Sequence, residues 1–122
     1  MLDFDSMNHD PDTIFSVSQL TRGIKSLLEA NFSDITLHGE ISNFKKHSSG
    51  HLYFTLKDQH SQISAVMFRG NTMNMFFSPQ DGMEVVCRGN ITVYEPRGNY
   101  QILVREMHPR GEGALRIAFE KL

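Results

Sequence analysis

The chain has 122 residues, enough for one domain with a single core and too few for two; at 39% hydrophobic and 21% charged residues its composition is that of an ordinary folded domain. Its 12 basic and 14 acidic side chains give a net charge of -2, which excludes a uniformly basic nucleic-acid-binding protein; residues 1–21 hold Asp3, Asp5, Asp10 and Asp12 with no Lys or Arg, leaving the remainder at +2, 12 basic against 10 acidic. The single cysteine, Cys87, excludes an internal disulfide, no apolar run approaches the roughly 18 residues of a membrane span, and the N-terminus is acidic where a signal peptide is basic; a cytoplasmic protein without membrane contact is expected.

Residues 1–14, with Pro11 and no clear period, read as an acidic tail. Ser16 and Gln19 have capping-box spacing, flanked by Phe15 and Leu20 in the staple positions. Leu20, Ile24, Leu27 and Leu28 then recur at helical intervals until Asn31, predicting a helix with one apolar stripe. Gly23 costs such a helix about 1 kcal/mol relative to alanine, so it is expected where the helix lies close against a neighbour.

After Asp34 the period changes to two. Ile35, Leu37, Gly39 and Ile41 alternate with polar residues over a first strand, 35–42, with Gly39 as a bend, and residues 43–50 read as a polar, basic loop. A second strand, 51–57, turns Leu52, Phe54 and Leu56 inward, and a turn follows at 58–61. A third, 62–68, turns Ile63, Ala65 and Met67 inward and leaves Ser64, Val66 and Phe68 outward. Asn71 is expected to cap a short helix whose Met73, Phe76 and Phe77 share a face, stopped by Ser78-Pro79. A fourth strand, 83–94, has Val85, Cys87, Ile91 and Val93 in phase and a second bend at Gly89; a turn at 95–99 leads to a fifth strand, 100–107. Residues 112–122 read as a further helix, with Leu115, Ala118, Phe119 and Leu122 on one stripe. The order predicts a mostly β chain with flanking helices: a five-stranded barrel or sandwich bent at glycines, preceded by a helix.

Taken in order, Phe15-Ser-Val-Ser-Gln-Leu20, Gly39-Glu-Ile-Ser-Asn-Phe44, Ser49-Gly-His-Leu-Tyr-Phe-Thr-Leu-Lys-Asp58, Val66-Met-Phe-Arg69, Tyr94-Glu-Pro-Arg-Gly-Asn-Tyr-Gln101 and Gly111-Glu-Gly-Ala114 resemble the N-terminal domain of exodeoxyribonuclease VII large subunits. The resemblance covers residues 15–122 and implies a Greek-key OB-fold of the anticodon-binding type that holds single-stranded DNA. It also implies that nuclease chemistry, which degrades single-stranded DNA to oligonucleotides, belongs to a later domain, and that a small subunit is recruited by parts absent from this chain. On that basis the chain divides into a tail (1–14), an OB-fold domain (15–110) and the start of a linker helix (111–122).

Such a barrel binds on the outer face of its second and third strands, between the loops joining strands one to two and four to five. Those parts carry Tyr53 and Phe68 on the strand faces, Phe44, Lys45, Lys46 and His47 in the first loop, Arg97 with Tyr94 and Tyr100 around the second, and Arg69 closing strand three. His51 is expected to hydrogen-bond or stack on the same face. Cations follow phosphates and rings stack on any base, which is what binding of a single strand without sequence preference requires. Each residue alone also suits barrel packing or a solvated loop; the convergence of the set favours binding. The expected nucleic-acid-binding residues are thus Phe44, Lys45, Lys46, His51, Tyr53, Phe68, Arg69, Tyr94, Arg97 and Tyr100.

No catalytic residue, metal or cofactor is expected within the chain. His47 and His51 have no matching second pair of ligands, Cys87 is in phase with core positions, and Glu40, Asp58, Asp81, Glu84, Glu95 and Glu106 fall mostly at strand ends and turns without paired spacing. Two other readings stay open: an RNA-binding module, which uses the same strands but needs contacts to 2′-hydroxyls, and an architectural domain packed on the rest of an enzyme. The stripe over residues 112–122 is expected to fray or to form a homodimer contact through residues 114–122.

Overall fold

The computed structural model of the protein describes residues 9–111. The predicted cap is present: the Gln19 backbone N–H donates to Ser16 Oγ (3.1 Å), the Ser16 N–H donates to Gln19 Oε1 (2.8 Å), and helix α1 follows over Val17–Asn31. The predicted stripe is only partly covered: Leu27 and Leu28 are half-buried. No residue of α1 is buried, and Leu20 and Ile24 of the predicted stripe are 53% and 43% exposed. The helix meets the barrel through Leu28, at the end of that stripe, which packs against the core, and through the face beside it, where Lys25 pairs with Glu95 (3.8 Å) and the Thr92 hydroxyl donates to Glu29 Oε2 (2.8 Å). One residue is about 100° of helix, so polar anchoring at 25 and 29 turns the 20/24 stripe away from the barrel. Gly23 corrects a second expectation: a Cβ there meets nothing within 4 Å, so this glycine serves no close approach.

The strands are β1 (Ile35–Lys46), β2 (Leu52–Lys57), β3 (Gln62–Met67), β4 (Glu84–Tyr94) and β5 (Asn99–Pro109). They close a barrel in the order β1-β2-β3-β5-β4. All neighbours are antiparallel except β3 and β5, which run parallel with Ser64 opposite Gln101 and Val66 opposite Leu103. β1 serves two partners, β4 over residues 35–40 and β2 over residues 40–46. It bends at Gly39, where a Cβ would stand 3.2 Å from the Lys57 carbonyl oxygen. At Gly89 a Cβ would fall 2.1 Å from the Leu103 carbonyl oxygen; the bulge there brings β4 and β5 too close for any side chain.

β1 is longer than its alternation predicts. Pairing moves from Ser42–Thr55 to Lys45–Tyr53, three residues against two, so β1 carries one extra residue with Asn43 at φ +52°. The extra residue breaks the period, so the segment 43–46 reads as loop in sequence although it is strand, and the connection shrinks to residues 47–51. The expected phases of β2 and β4 hold, and Ile41, Leu56, Met67, Val85, Cys87, Ile102 and Val104 fill the barrel. Val66 faces outward as expected yet is 6% exposed, covered without joining the core cluster.

The segment after β3 also departs from expectation. Helix α2 spans Arg69–Thr72, with Phe68 rather than Asn71 at its N-cap, and Asn71 lies inside it. Met73 is 80% and Phe76 41% exposed whereas Phe77 is 5% exposed, so the three share no buried face. Four helical residues cannot form a stripe; the chain then crosses to β4 and turns only Phe77 inward. The helix expected at 112–122 and the first eight residues of the expected tail lie outside the described residues. Among the described residues no helix is long and apolar enough to cross a membrane.

Candidate nucleic-acid interface

An open groove of about 870 Å³ crosses the outer faces of β2 and β3, from the end of β1 to the β4–β5 turn. Strand alternation puts Leu52, Phe54 and Leu56 in the core and therefore places Tyr53 outward, 41% exposed, opposite both Lys45 and Val66. Phe68 (45% exposed) and Tyr94 (48%) supply two further rings, and Arg97 stands in the tight turn in which the Gly98 N–H donates to the Tyr94 carbonyl at 2.8 Å. Gly98 has φ +68°, a backbone state that favours glycine.

The 47–51 connection is fixed in place. The His47 N–H donates to the His51 carbonyl (2.9 Å), and the Gly50 N–H to the His47 carbonyl (2.8 Å). Gly50, at φ +92°, lies where a Cβ would come 2.9 Å from Arg69 Cδ. The Arg69 N–H donates to His51 Nδ1 (2.9 Å), which ties the start of α2 to the connection. Edge-to-face contacts of His51 with Phe68 (5.2 Å) and His47 with Tyr53 (6.1 Å) brace the two groove rings from the side and leave them accessible.

The groove thus brings together Lys45, Tyr53, Phe68, Tyr94 and Arg97 of the expected set. His51 and Arg69 adjoin it through Phe68, and exposed Lys46 follows Lys45 at the end of β1. Two residues lie elsewhere. Phe44 is half-buried against the core, its ring 6.3 Å from that of Phe54, and its N–H donates to Asp81 Oδ1 (2.9 Å). Tyr100 lines a separate cavity of about 440 Å³, chiefly apolar, with Leu28, Phe32, Ile35, Leu37 and Ile63. Its neighbour Gln101 faces the groove instead, along with Thr55 and Ser64, and none of these three belongs to the expected set. The signal for Gln101 lies in β5 itself: Ile102 and Val104 are core positions, so Gln101 falls on the outer face.

The remaining charges have other tasks. Arg88 clasps Asp34 with Nε to Oδ1 (2.8 Å) and Nη2 to Oδ2 (3.0 Å), and Arg105 also bonds Asp34 Oδ1. The hydrogen bonds and charge of Arg88, with Arg105 adding to them, hold the Asp34 carboxyl below the ordinary carboxylate value. Asp58 is lowered by the backbone N–H groups of His60 (2.8 Å) and Ser61 (2.9 Å) in the β2–β3 turn. Burial pushes the Cys87 thiol up to about 12, which keeps it protonated and unreactive at neutral pH. Among the described residues no three His, Cys, Asp or Glu side chains converge as metal ligands would.

The family described as the OB-fold nucleic acid binding domain matches residues 15–108, nearly the whole described barrel with its capped helix. The chain belongs to this family. It is also similar to exodeoxyribonuclease 7 large subunits: 51% identical over 111 residues to that of Haemophilus influenzae (strain 86-028NP), covering 91% of this chain and 25% of the relative. The relative from Halalkalibacterium halodurans is 50% identical over 116 residues, covering 93% and 25%, and that from Geobacter metallireducens is 53% identical over 109, covering 89% and 24%. The chain therefore spans about a quarter of the length of these relatives. Among solved structures, a chain of a replication protein A heterotrimer bound to ssDNA shares the fold, with a TM-score of 0.53 at 12% identity over 72% of this chain and 67% of that one.

Proposed function

We propose that this OB-fold nucleic-acid-binding domain is the single-stranded-DNA-binding module of an exonuclease VII-like large subunit, and that it presents an unpaired strand to nuclease chemistry elsewhere in a longer cytoplasmic enzyme. The observation that carries the reading is the convergence of Lys45, Tyr53, Phe68, Tyr94 and Arg97 on one open groove. Cations beside exposed rings suit a flexible strand, whose phosphates and base faces are both accessible, better than a duplex, whose base faces are stacked. The replication protein A heterotrimer that contains the chain of this fold is bound to ssDNA, in keeping with this use of the barrel. The module occupies residues 15–110, residues 1–14 are a tail, and residues 111–122 begin a connection onward. The small subunit binds to parts of the enzyme outside this chain.

Fluorescence anisotropy with single-stranded DNA, RNA and duplex of one length at one salt concentration tests the reading. Single-stranded DNA should bind most tightly. RNA binding as tight as DNA would favour the anticodon-reading alternative, and equal affinity for duplex would rule out a single-strand site. The open 20/24 stripe of α1 supports a second role, as a surface that packs on other parts of the enzyme.

A further inference from the structure

Across the floor of the groove the strand registers set a continuous polar row: Thr55 opposite Ser64, Ser64 opposite Gln101, and Gln101 opposite Thr92. The Thr92 hydroxyl is already committed to Glu29 at 2.8 Å, which ends the open part of the row at Gln101. The side chains of Thr55, Ser64 and Gln101 line the groove and have no hydrogen-bond partner among the described residues. Three adjacent polar groups, open to solvent and uncommitted to the protein, thus lie on the floor of a site walled by rings and cations. Along β2, Thr55 is the next same-face residue after Tyr53, about 6.8 Å away, within the span of one nucleobase.

We infer that this row is a base-edge subsite, in which Gln101, assisted by Ser64 and Thr55, hydrogen-bonds the Watson–Crick edge of a base stacked on Tyr53. An amide presents an acceptor and a donor side by side, and the edge of an unpaired base offers the complementary pair: in thymine, an N–H beside a carbonyl. In a duplex that edge is occupied by the opposite base. The subsite therefore selects unpaired bases by their edges as well as by their faces, and it makes affinity depend on base chemistry where stacking and phosphate contacts alone would not. The inference rests on the reading of the groove as a single-strand site.

The test compares anisotropy titrations of a thymidine oligonucleotide of about ten residues with one of equal length whose bases are difluorotoluene, a ring of thymine shape that stacks but forms no strong hydrogen bonds. The full chain should bind the thymidine strand about tenfold more tightly. Gln101→Ala should remove most of that ratio by weakening the thymidine strand alone, and Ser64→Ala part of it, with circular dichroism of both variants unchanged. Tyr53→Ala should weaken both strands by one factor. A wild-type ratio near one, or a Gln101→Ala loss shared equally by both strands, overturns the base-edge subsite and leaves the single-strand site standing. If the wild type binds neither strand, the proposed function itself fails and the subsite with it.

Discussion

The hydroxyl of Thr92, a residue only 7% exposed, donates to the carboxylate of Glu29 at 2.8 Å and thereby ties α1 to β4. With the acceptor gone, Thr92 keeps a buried donor without a partner, whereas Val in its place removes the need for one. Glu29→Ala is expected to lower stability in urea by about 1 to 2 kcal/mol, and Thr92→Val by less. Equal losses from the two variants would mean that the contact is packing rather than a satisfied hydrogen bond.

Two glycines should respond in opposite directions. At Gly23 nothing stands within 4 Å of an added Cβ, so Gly23→Ala should stabilise the chain by about 0.5 to 1 kcal/mol through helix propensity alone. At Gly89 the same methyl would sit 2.1 Å from the Leu103 carbonyl oxygen, forcing β4 and β5 apart. Gly89→Ala should cost about 3 kcal/mol or more, or prevent folding. A melting temperature for Gly89→Ala close to that of the wild type would contradict the close approach.

Legibility in the sequence followed the strictness of the alternation. β2 reads correctly because Leu52, Phe54 and Leu56 alternate without interruption, and the capping box reads correctly because Ser16 and Gln19 act on each other locally. The end of β1 does not, since the extra residue near Asn43 shows itself only against β2, and so Phe44 looks like a loop residue when it is a core one. The side of α1 that meets the barrel is likewise hidden: Glu29 is chosen by Thr92, 63 residues away. Tyr100 and Gln101 could have been told apart from Ile102 and Val104, but closeness to Arg97 in sequence is not closeness to the groove.

Acid should weaken the clasp on Asp34. Its carboxyl is held below the ordinary value by Arg88 and Arg105, so the stability it supplies is present above the unfolded-state value of about 4 and is lost as pH falls through the lower folded value. Asparagine tolerates the φ of +53° at this position, which makes Asp34→Asn a fair comparison. The variant should be less stable than wild type at neutral pH, with the difference closing as pH drops below about 4. A stability difference unchanged down to low pH would show that the charge of Asp34 is not what matters.

Salt should report which cations touch the strand. Lys45 and Arg97 line the groove and Lys46 and Arg69 adjoin it, so log K against log salt should have a slope of about -1.4 to -2.8, at roughly -0.7 per phosphate. Lys45→Ala should make the slope shallower by about 0.7. Arg88→Ala should leave it unchanged, because Arg88 is engaged with Asp34. A slope that responds to Arg88 and not to Lys45 would put the strand on the other side of the barrel.

The rings give the sharpest separation, because the structure divides aromatics that the sequence groups together. Tyr53 and Phe68 face the groove, whereas Tyr100 lines the apolar cavity beside Leu28 and Phe44 packs on Phe54. Tyr53→Ala and Phe68→Ala should each weaken single-strand binding by about 1 to 3 kcal/mol while leaving the melting temperature nearly unchanged, since each ring is more than two-fifths exposed. Phe44→Ala should do the reverse, lowering stability by about 2 kcal/mol through a half-filled core contact with affinity retained in the folded fraction. Tyr100→Ala should likewise leave affinity intact. Paired titration and thermal unfolding of the four variants decide the matter: a loss of affinity at Tyr100 comparable to that at Tyr53, with the fold preserved, would move the strand from the groove toward the cavity.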